Sequence, residues 1–174
     1  MAQPLQTLIS RILDTHHVYL RRELPRLEAI VAKMSANHGH ERPELFRIQQ
    51  LLQDLQDDIS AHLLKEEQIL FPYVAGLERS AETPEPPPVA CFASVQFPIR
   101  MMFMEHDRAQ AVLQELRSAT GNYTPPKGTT CDCATSFYEG LAELEADLLE
   151  HIRVENEELF PRAIALEEQL SACR

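Results

Sequence analysis

Residues 62–72 read His62-Leu-Leu-Lys-Glu66-Glu-Gln-Ile-Leu70-Phe71-Pro72, and residues 151–161 read His151-Ile-Arg-Val-Glu155-Asn-Glu-Glu-Leu159-Phe160-Pro161. Both fit H-x3-E-x3-L-F-P, and the two copies lie 89 positions apart, from 62 to 151. Each histidine has another one 45 positions upstream, at His17 and His106. Four histidines and two glutamates therefore form two sets with the same internal spacing. The chain reads as a duplicated helical hairpin.

Residues four apart on an α-helix sit almost one above the other. His62 with Glu66, and His151 with Glu155, then point the same way and can chelate one centre. Two such helices face to face bring two carboxylates and two imidazoles together, and His17 and His106 join from the partner helices. Bundle interiors that hold paired metals are built this way, with bridging carboxylates and terminal histidines. One H-x3-E is common on surface helices. Two copies with matched flanks and matched upstream histidines are not. Taken singly, each histidine reads as a satisfied core residue. Taken together, and with two glutamates in bundle-core positions, they read as a metal site.

The other composition signals narrow the classes. The 174 residues suit one domain, 1–174, with a core of its own. Glycine is scarce at 5 and tryptophan absent, while long Leu/Glu/Ala/Gln/Arg stretches favour helix. A net charge of −11 repels phosphate backbones, which argues against nucleic acid as a partner. No apolar run reaches the length of a membrane span and no leader pattern precedes the first helix, so a cytoplasmic location away from membranes is expected. Such a location keeps Cys91, Cys131, Cys133 and Cys173 reduced. Cys131-x-Cys133 is one residue short of the usual C-x2-C metal spacing and reads as two incidental thiols.

In chain order, helical periodicity predicts a first helix from about Pro4 to Ser35, kinked at Pro25 and closed near Gly39. A second runs from Pro43 through His62 and Glu66 and fades near Leu77, with Pro72 as a kink or late break. Together they make hairpin 1, about residues 4–77. Residues 78–97, with the proline-rich Thr83–Pro88 run, form a connector. Hairpin 2, about 98–171, holds a helix opened by Pro98 and carrying His106, and a last helix from about Cys133 to Ser171. The expected fold is all-α, an up-down-up-down four-helix bundle. Such an acidic bundle needs no partner to be stable, so a monomer or weak dimer is expected.

Three further expectations concern the site. His38 has no counterpart under the 89-residue shift, since Lys127 stands there. Folded back from the end of the first helix, it makes five histidines with two glutamates and leaves the two metals unequal, one of them more open. Asp58 and Asp147 each lie four residues before a ligand histidine and are candidates to orient its N–H, or plain solvated acids. His16 falls on a different face from His17, His40 in a solvated loop, and Met101, Met102 and Met104 in packing positions or along a small-molecule path.

These residues resemble the hemerythrin-like di-iron proteins and, within them, the Repair of Iron Centers family. The resemblance runs from His17 and Glu23-Leu24-Pro25 through His38-Gly39, the His62–Pro72 motif, Pro98-Ile99, Met104-Glu105-His106-Asp107 and His151–Ala163. It implies His17, His38, His62, His106 and His151 as terminal iron ligands and Glu66 and Glu155 as bridges. The implied cofactor is two non-heme Fe ions, carboxylate-bridged and oxo- or hydroxo-bridged. Many members carry a short cysteine-bearing domain ahead of the bundle, whereas this sequence opens at the first helix. Independently of the family, imidazoles with carboxylates suit Fe(II)/Fe(III), and also Mn or Zn. The absence of thiolate from the constellation argues against a structural zinc cage.

The leading expectation is a di-iron protein of nitrosative and oxidative stress defence. By resemblance it helps repair iron–sulfur clusters by iron donation or by NO binding and reduction. NO or O2 would be its small-molecule partners, damaged or apo iron–sulfur proteins its clients, and NO reductase activity its enzymatic form. The alternatives are a hemerythrin-type O2 carrier or sensor module without turnover, and a bundle whose site is structural and holds zinc or nothing.

Overall fold

A computed structural model describes residues 3–83, 85–126 and 132–172. Among them the chain forms seven α-helices: α1 (Leu5–Ile12), α2 (Val18–His38), α3 (Glu44–Lys65), α4 (Phe71–Glu82), α5 (Gln96–Ala119), α6 (Asp132–Val154) and α7 (Phe160–Ala172). Three π-helical turns, Leu13–His17, Glu66–Leu70 and Glu155–Leu159, join α1 to α2, α3 to α4 and α6 to α7. The result is four long rods in an up-down-up-down four-helix bundle. Among the described residues no helix is long and apolar enough to cross a membrane.

The prolines of the repeated motif do not end their helices. Pro72 lacks an N–H and its ring crowds the carbonyl four residues back. The helix answers with a wide turn. Phe71 N–H donates to the Glu66 carbonyl, and Phe160 N–H to the Glu155 carbonyl, each five residues back. The chain continues past Leu77 to Glu82 on the far side. π-turns of this kind gather at functional sites, and here two of the three begin at the repeated glutamates.

Two apolar cores fill the bundle. One packs Leu27, Leu55, Leu113 and Phe137 among α2, α3, α5 and α6. The other packs Leu8, Val74, Ile99 and Phe160 among α1, α4, the start of α5, and α7. The repeated His and Glu residues fall between them. Met102 is buried, but Met101 and Met104 are 50% and 59% exposed, so only the first packs as expected.

The duplication also closes the helix starts. Glu78 accepts hydrogen bonds from Leu5 N (2.5 Å) and Gln6 N (2.8 Å), capping α1. Its counterpart 89 positions on, Glu167, accepts from Ser94 Oγ (2.6 Å), Val95 N (2.9 Å) and Tyr73 Oη (2.7 Å), capping α5. Glu167→Ala removes these hydrogen bonds and is expected to cost about 1–2 kcal/mol, read as a drop in Tm of roughly 2–8 °C. An unchanged Tm would show that water replaces the cap at no cost.

Three local expectations are corrected. Gly39 ends α2 in a right-handed conformation with φ −61°. What its lack of a side chain permits is the close approach of Phe46, whose ring lies 2.4 Å from where a Cβ would stand. Cys91 is free, but Cys133, exposed in the first turn of α6, is disulfide-bonded rather than reduced. Cys131 and Cys173 lie outside the described residues. His38 is treated with the site.

Candidate metal centre

Six of the residues singled out by spacing meet in one buried layer. His17, His62, His106, His151, Glu66 and Glu155 are each 2% exposed or less. They form two overlapping groups, His17/Glu66/His151/Glu155 and His62/Glu66/His106/Glu155, within each of which the ligand atoms lie within 4.8 Å of one another. Both glutamates belong to both groups. Glu66 offers Oε2 to His17 Nε2 and Oε1 to His62 Nε2, each at 3.4 Å. Glu155 offers Oε1 to His151 Nε2 (3.0 Å) and Oε2 to His106 Nε2 (3.1 Å). The Nε2 atoms of His62 and His106 stand 3.3 Å apart.

The chemistry of this layer is unbalanced as protein alone. Both carboxylate oxygens of Glu66 and of Glu155, and the Nε2 atoms of His17 and His151, are buried without a hydrogen-bond partner. Buried polar atoms are nearly always paired, and a buried carboxylate without compensation is costly. All-nitrogen and all-oxygen donors aimed at shared points are what divalent cations need. The residues fit a pair of metal ions.

The outer edges of the rings are held as ligand histidines usually are. His17 Nδ1 meets Glu67 Oε1 at 2.7 Å, and Arg21 holds the other Glu67 oxygen at 2.9 Å. His106 Nδ1 meets Asn156 Oδ1 at 2.8 Å. His62 Nδ1 meets Glu105 Oε2 at 2.9 Å, and Lys65 pairs with the same carboxylate. His151 has no such acceptor. Its ring stacks on His16 at 5.4 Å, and His16 Nδ1 meets Asp147 Oδ1 at 2.9 Å. The L-F-P tail of each motif packs the same layer. Phe71 stacks on His17 at 5.7 Å and Phe160 on His106 at 5.9 Å.

His38 does not join. It is the last residue of α2 and exposed. Unbroken helix separates it from His17, and at ~1.5 Å rise per residue that places it about 30 Å from the layer. Asp58 pairs with Arg108 at 3.6 Å, and Asp147 orients His16 rather than His151. Glu67, Glu105 and Asn156 were not singled out from the sequence. Glu67 and Asn156 follow the repeated glutamates and match under the 89-residue shift, which is a usable signal. His16 turns inward because Leu13–His17 is a π-turn, whose wider spacing brings neighbouring residues toward one face.

Proton affinities in the metal-free layer follow from the same contacts. Burial works against charge on His62, but Glu66 and Glu155 outweigh it and push its pKa up to about 9. His17 is raised too: burial opposes, while Glu66 and Glu67 prevail. Burial would raise Glu155, yet His151 and His106 hold it well below the usual carboxylate range.

Glu67→Ala removes the acceptor that fixes the His17 ring. The expected result is a roughly 10–100-fold loss of metal affinity at the position His17 serves, in line with other lost ring supports. Competition against a chelator of known affinity reads it directly. Equal affinity in the two proteins would show that Glu67 orients nothing.

The family model for the hemerythrin HHE cation binding domain matches residues 8–163. The chain is 35% identical over 166 residues to the iron-sulfur cluster repair protein YtfE of Salmonella schwarzengrund (strain CVM19633), covering 94% of this chain and 68% of that protein. It is 36% identical over 164 residues to the protein of the same name from Yersinia pseudotuberculosis serotype IB (strain PB1/+), covering 93% and 67%.

Proposed function

Because the chain belongs to the hemerythrin HHE cation-binding family, we propose that it is a di-iron protein that helps repair iron–sulfur clusters under nitrosative and oxidative stress. One observation carries this reading: two four-residue ligand groups share Glu66 and Glu155. Its resemblance to proteins named for iron–sulfur cluster repair supports the choice of task. In this reading residues 1–174 act as one hemerythrin-like domain, a monomer or weak dimer in the cytoplasm. Its clients are damaged or apo iron–sulfur proteins.

His17 and His151 would hold one iron and His62 and His106 the other, with Glu66 and Glu155 available to both. Bound iron supplies redox-active coordination of NO or O2 and a transferable Fe(II). The protein's own residues decide how such a pair behaves. Glu67, Glu105 and Asn156 accept from the Nδ1–H edges, fixing the tautomer that leaves Nε2 free to ligate. The apolar cores on either side keep bulk water from the layer. Each position has one histidine backed by a carboxylate, Glu67 or Glu105. The other histidine has Asn156 in one position and the stacked His16 in the other. The two positions are thereby unequal, which favours one iron being held more loosely and given up first.

The test loads the protein with labelled Fe(II) and mixes it with an apo iron–sulfur dehydratase, while a parallel sample is exposed to NO under reducing conditions. Label appearing in a restored cluster, or NO consumed catalytically, supports the proposal. Neither outcome from a fully loaded protein overturns it. Reversible O2 binding over many cycles would instead favour a carrier or sensor.

A further inference from the structure

The two halves of the bundle match residue for residue around the ligands, but they do not leave the same space. A cavity of about 230 Å³ lies between α3 and α5, with His151 and Leu148 of α6 behind it. It begins at exposed Asp58, Ala61 and Arg108 and ends on His62, His106 and His151. It therefore touches histidines of both metal positions. Two ion pairs span its mouth, Asp58–Arg108 at 3.6 Å and Glu105–Lys65.

The 89-residue shift gives the equivalent place between α6 and α2, and there a larger, fully buried side chain stands. Leu20, 0% exposed, stands where Ala109 lines the cavity. Tyr19 replaces Arg108, Val154 replaces Lys65, and His16 replaces Glu105. A second cavity of about 620 Å³ lies beside α1, α2 and α4, but His17 is the only ligand on its wall, and there Glu67 covers the Nδ1 edge. The α3–α5 cavity reaches three histidines of the layer, whereas the cavity beside α1, α2 and α4 reaches His17 alone.

We propose that the α3–α5 cavity is the port through which Fe(II) enters and leaves the centre, kept open by the small side chain of Ala109 and flanked by carboxylates at its mouth. This rests on the di-iron reading and adds the route to it. The port carries a divalent cation past Asp58 and Glu105, which offer oxygen ligands on the way in, while Arg108 and Lys65 hold those carboxylates in place until the ion arrives. A port changes rates and leaves the end states alone. Narrowing it slows entry and exit by the same factor, so affinity is unchanged.

The experiment follows Co(II) uptake by metal-free protein in stopped flow, and Co(II) release to a chelator, in the wild type, Ala109→Leu and Ala61→Phe. Ala109→Leu installs the residue found at the matched position in the other half. Ala61→Phe covers the mouth from an exposed site and leaves the core untouched. Leu20→Ala, which empties the matched space in the other half, serves as the converse variant. The expected result is uptake and release both slowed about tenfold or more in the two port variants, with full capacity and unchanged Kd, and rates no slower than wild type in Leu20→Ala. Wild-type rates in Ala61→Phe with full loading would overturn the port, whatever Ala109→Leu does to folding. A failure of the di-iron reading looks different, since the wild type itself would then not take up two Co(II).

Discussion

Glu66→Ala empties both metal positions at once. Its carboxylate is one of only two groups that belong to both ligand sets, with Oε2 facing His17 and Oε1 facing His62. Removing it takes one donor from each position and one of the two negative charges that balance the cations. Structural metal sites bind with ~10–16 kcal/mol, so losing one donor of a four-residue set costs on the order of 2.5–4 kcal/mol per metal. That is a fall of roughly 10²–10³-fold or more in affinity at each position, enough to leave the purified variant nearly metal-free. Glu155→Ala behaves alike. His151→Ala is the contrast. It serves only one group, so it loses the metal beside α2 and retains the one between His62 and His106. Metal analysis of the three variants reads this pattern. Equal, partial loss from all three would show that the glutamates are not shared.

Chelating the loaded protein is expected to lower its Tm steeply and reverse the sign of its pH response. Ligand linkage gives about 4 kcal/mol per metal at a thousandfold excess over Kd. Two metals then raise Tm by ~15–30 °C in a chain of this size. The pH response follows from His62. Its folded-state pKa, about 9, lies above the unfolded value of 6.5. Its contribution to the metal-free fold is complete below 6.5 and is lost as pH rises through about 9. His17, raised as well, acts in the same direction. Glu155 acts at the other end: its lowered pKa gives stability that is present above the usual carboxylate range and lost as pH falls through the folded value. In the loaded protein the Nε2 protons must leave before metal binds, so metal affinity rises over the window in which the metal-free fold weakens. Melting curves at pH 6.5 and pH 9, with and without metal, test the divergence. Parallel slopes would contradict it.

How much of this was legible in the sequence depends on what the duplication repeats. The four buried histidines and two glutamates recur at one shift, and each lies on a helix whose period is fixed, so their convergence follows from arithmetic and the bundle fold. His38 failed because its inclusion required the first helix to turn back. Unbroken α2 carries it away from His17, and Gly39 continues in right-handed geometry. The two π-turns at the repeated motifs escape the sequence pattern because a proline six residues after each glutamate reads as a break, whereas the chain absorbs it with bonds five residues back. Glu105 and His16 occupy matched positions but differ in kind. Their roles depend on side-chain contacts across helices that no single-helix pattern reveals. Glu78 and Glu167 lay within reach, since they match under the same shift, and only their distant hydrogen bonds mark them as caps.

The proposed function rests on a paired iron site shared by Glu66 and Glu155. The most direct measurement is iron content per chain together with Mössbauer spectra of protein purified from iron-replete cells. About two irons per chain, magnetically coupled through their shared ligands, are expected. One isolated iron, zinc in its place, or two uncoupled irons would contradict it.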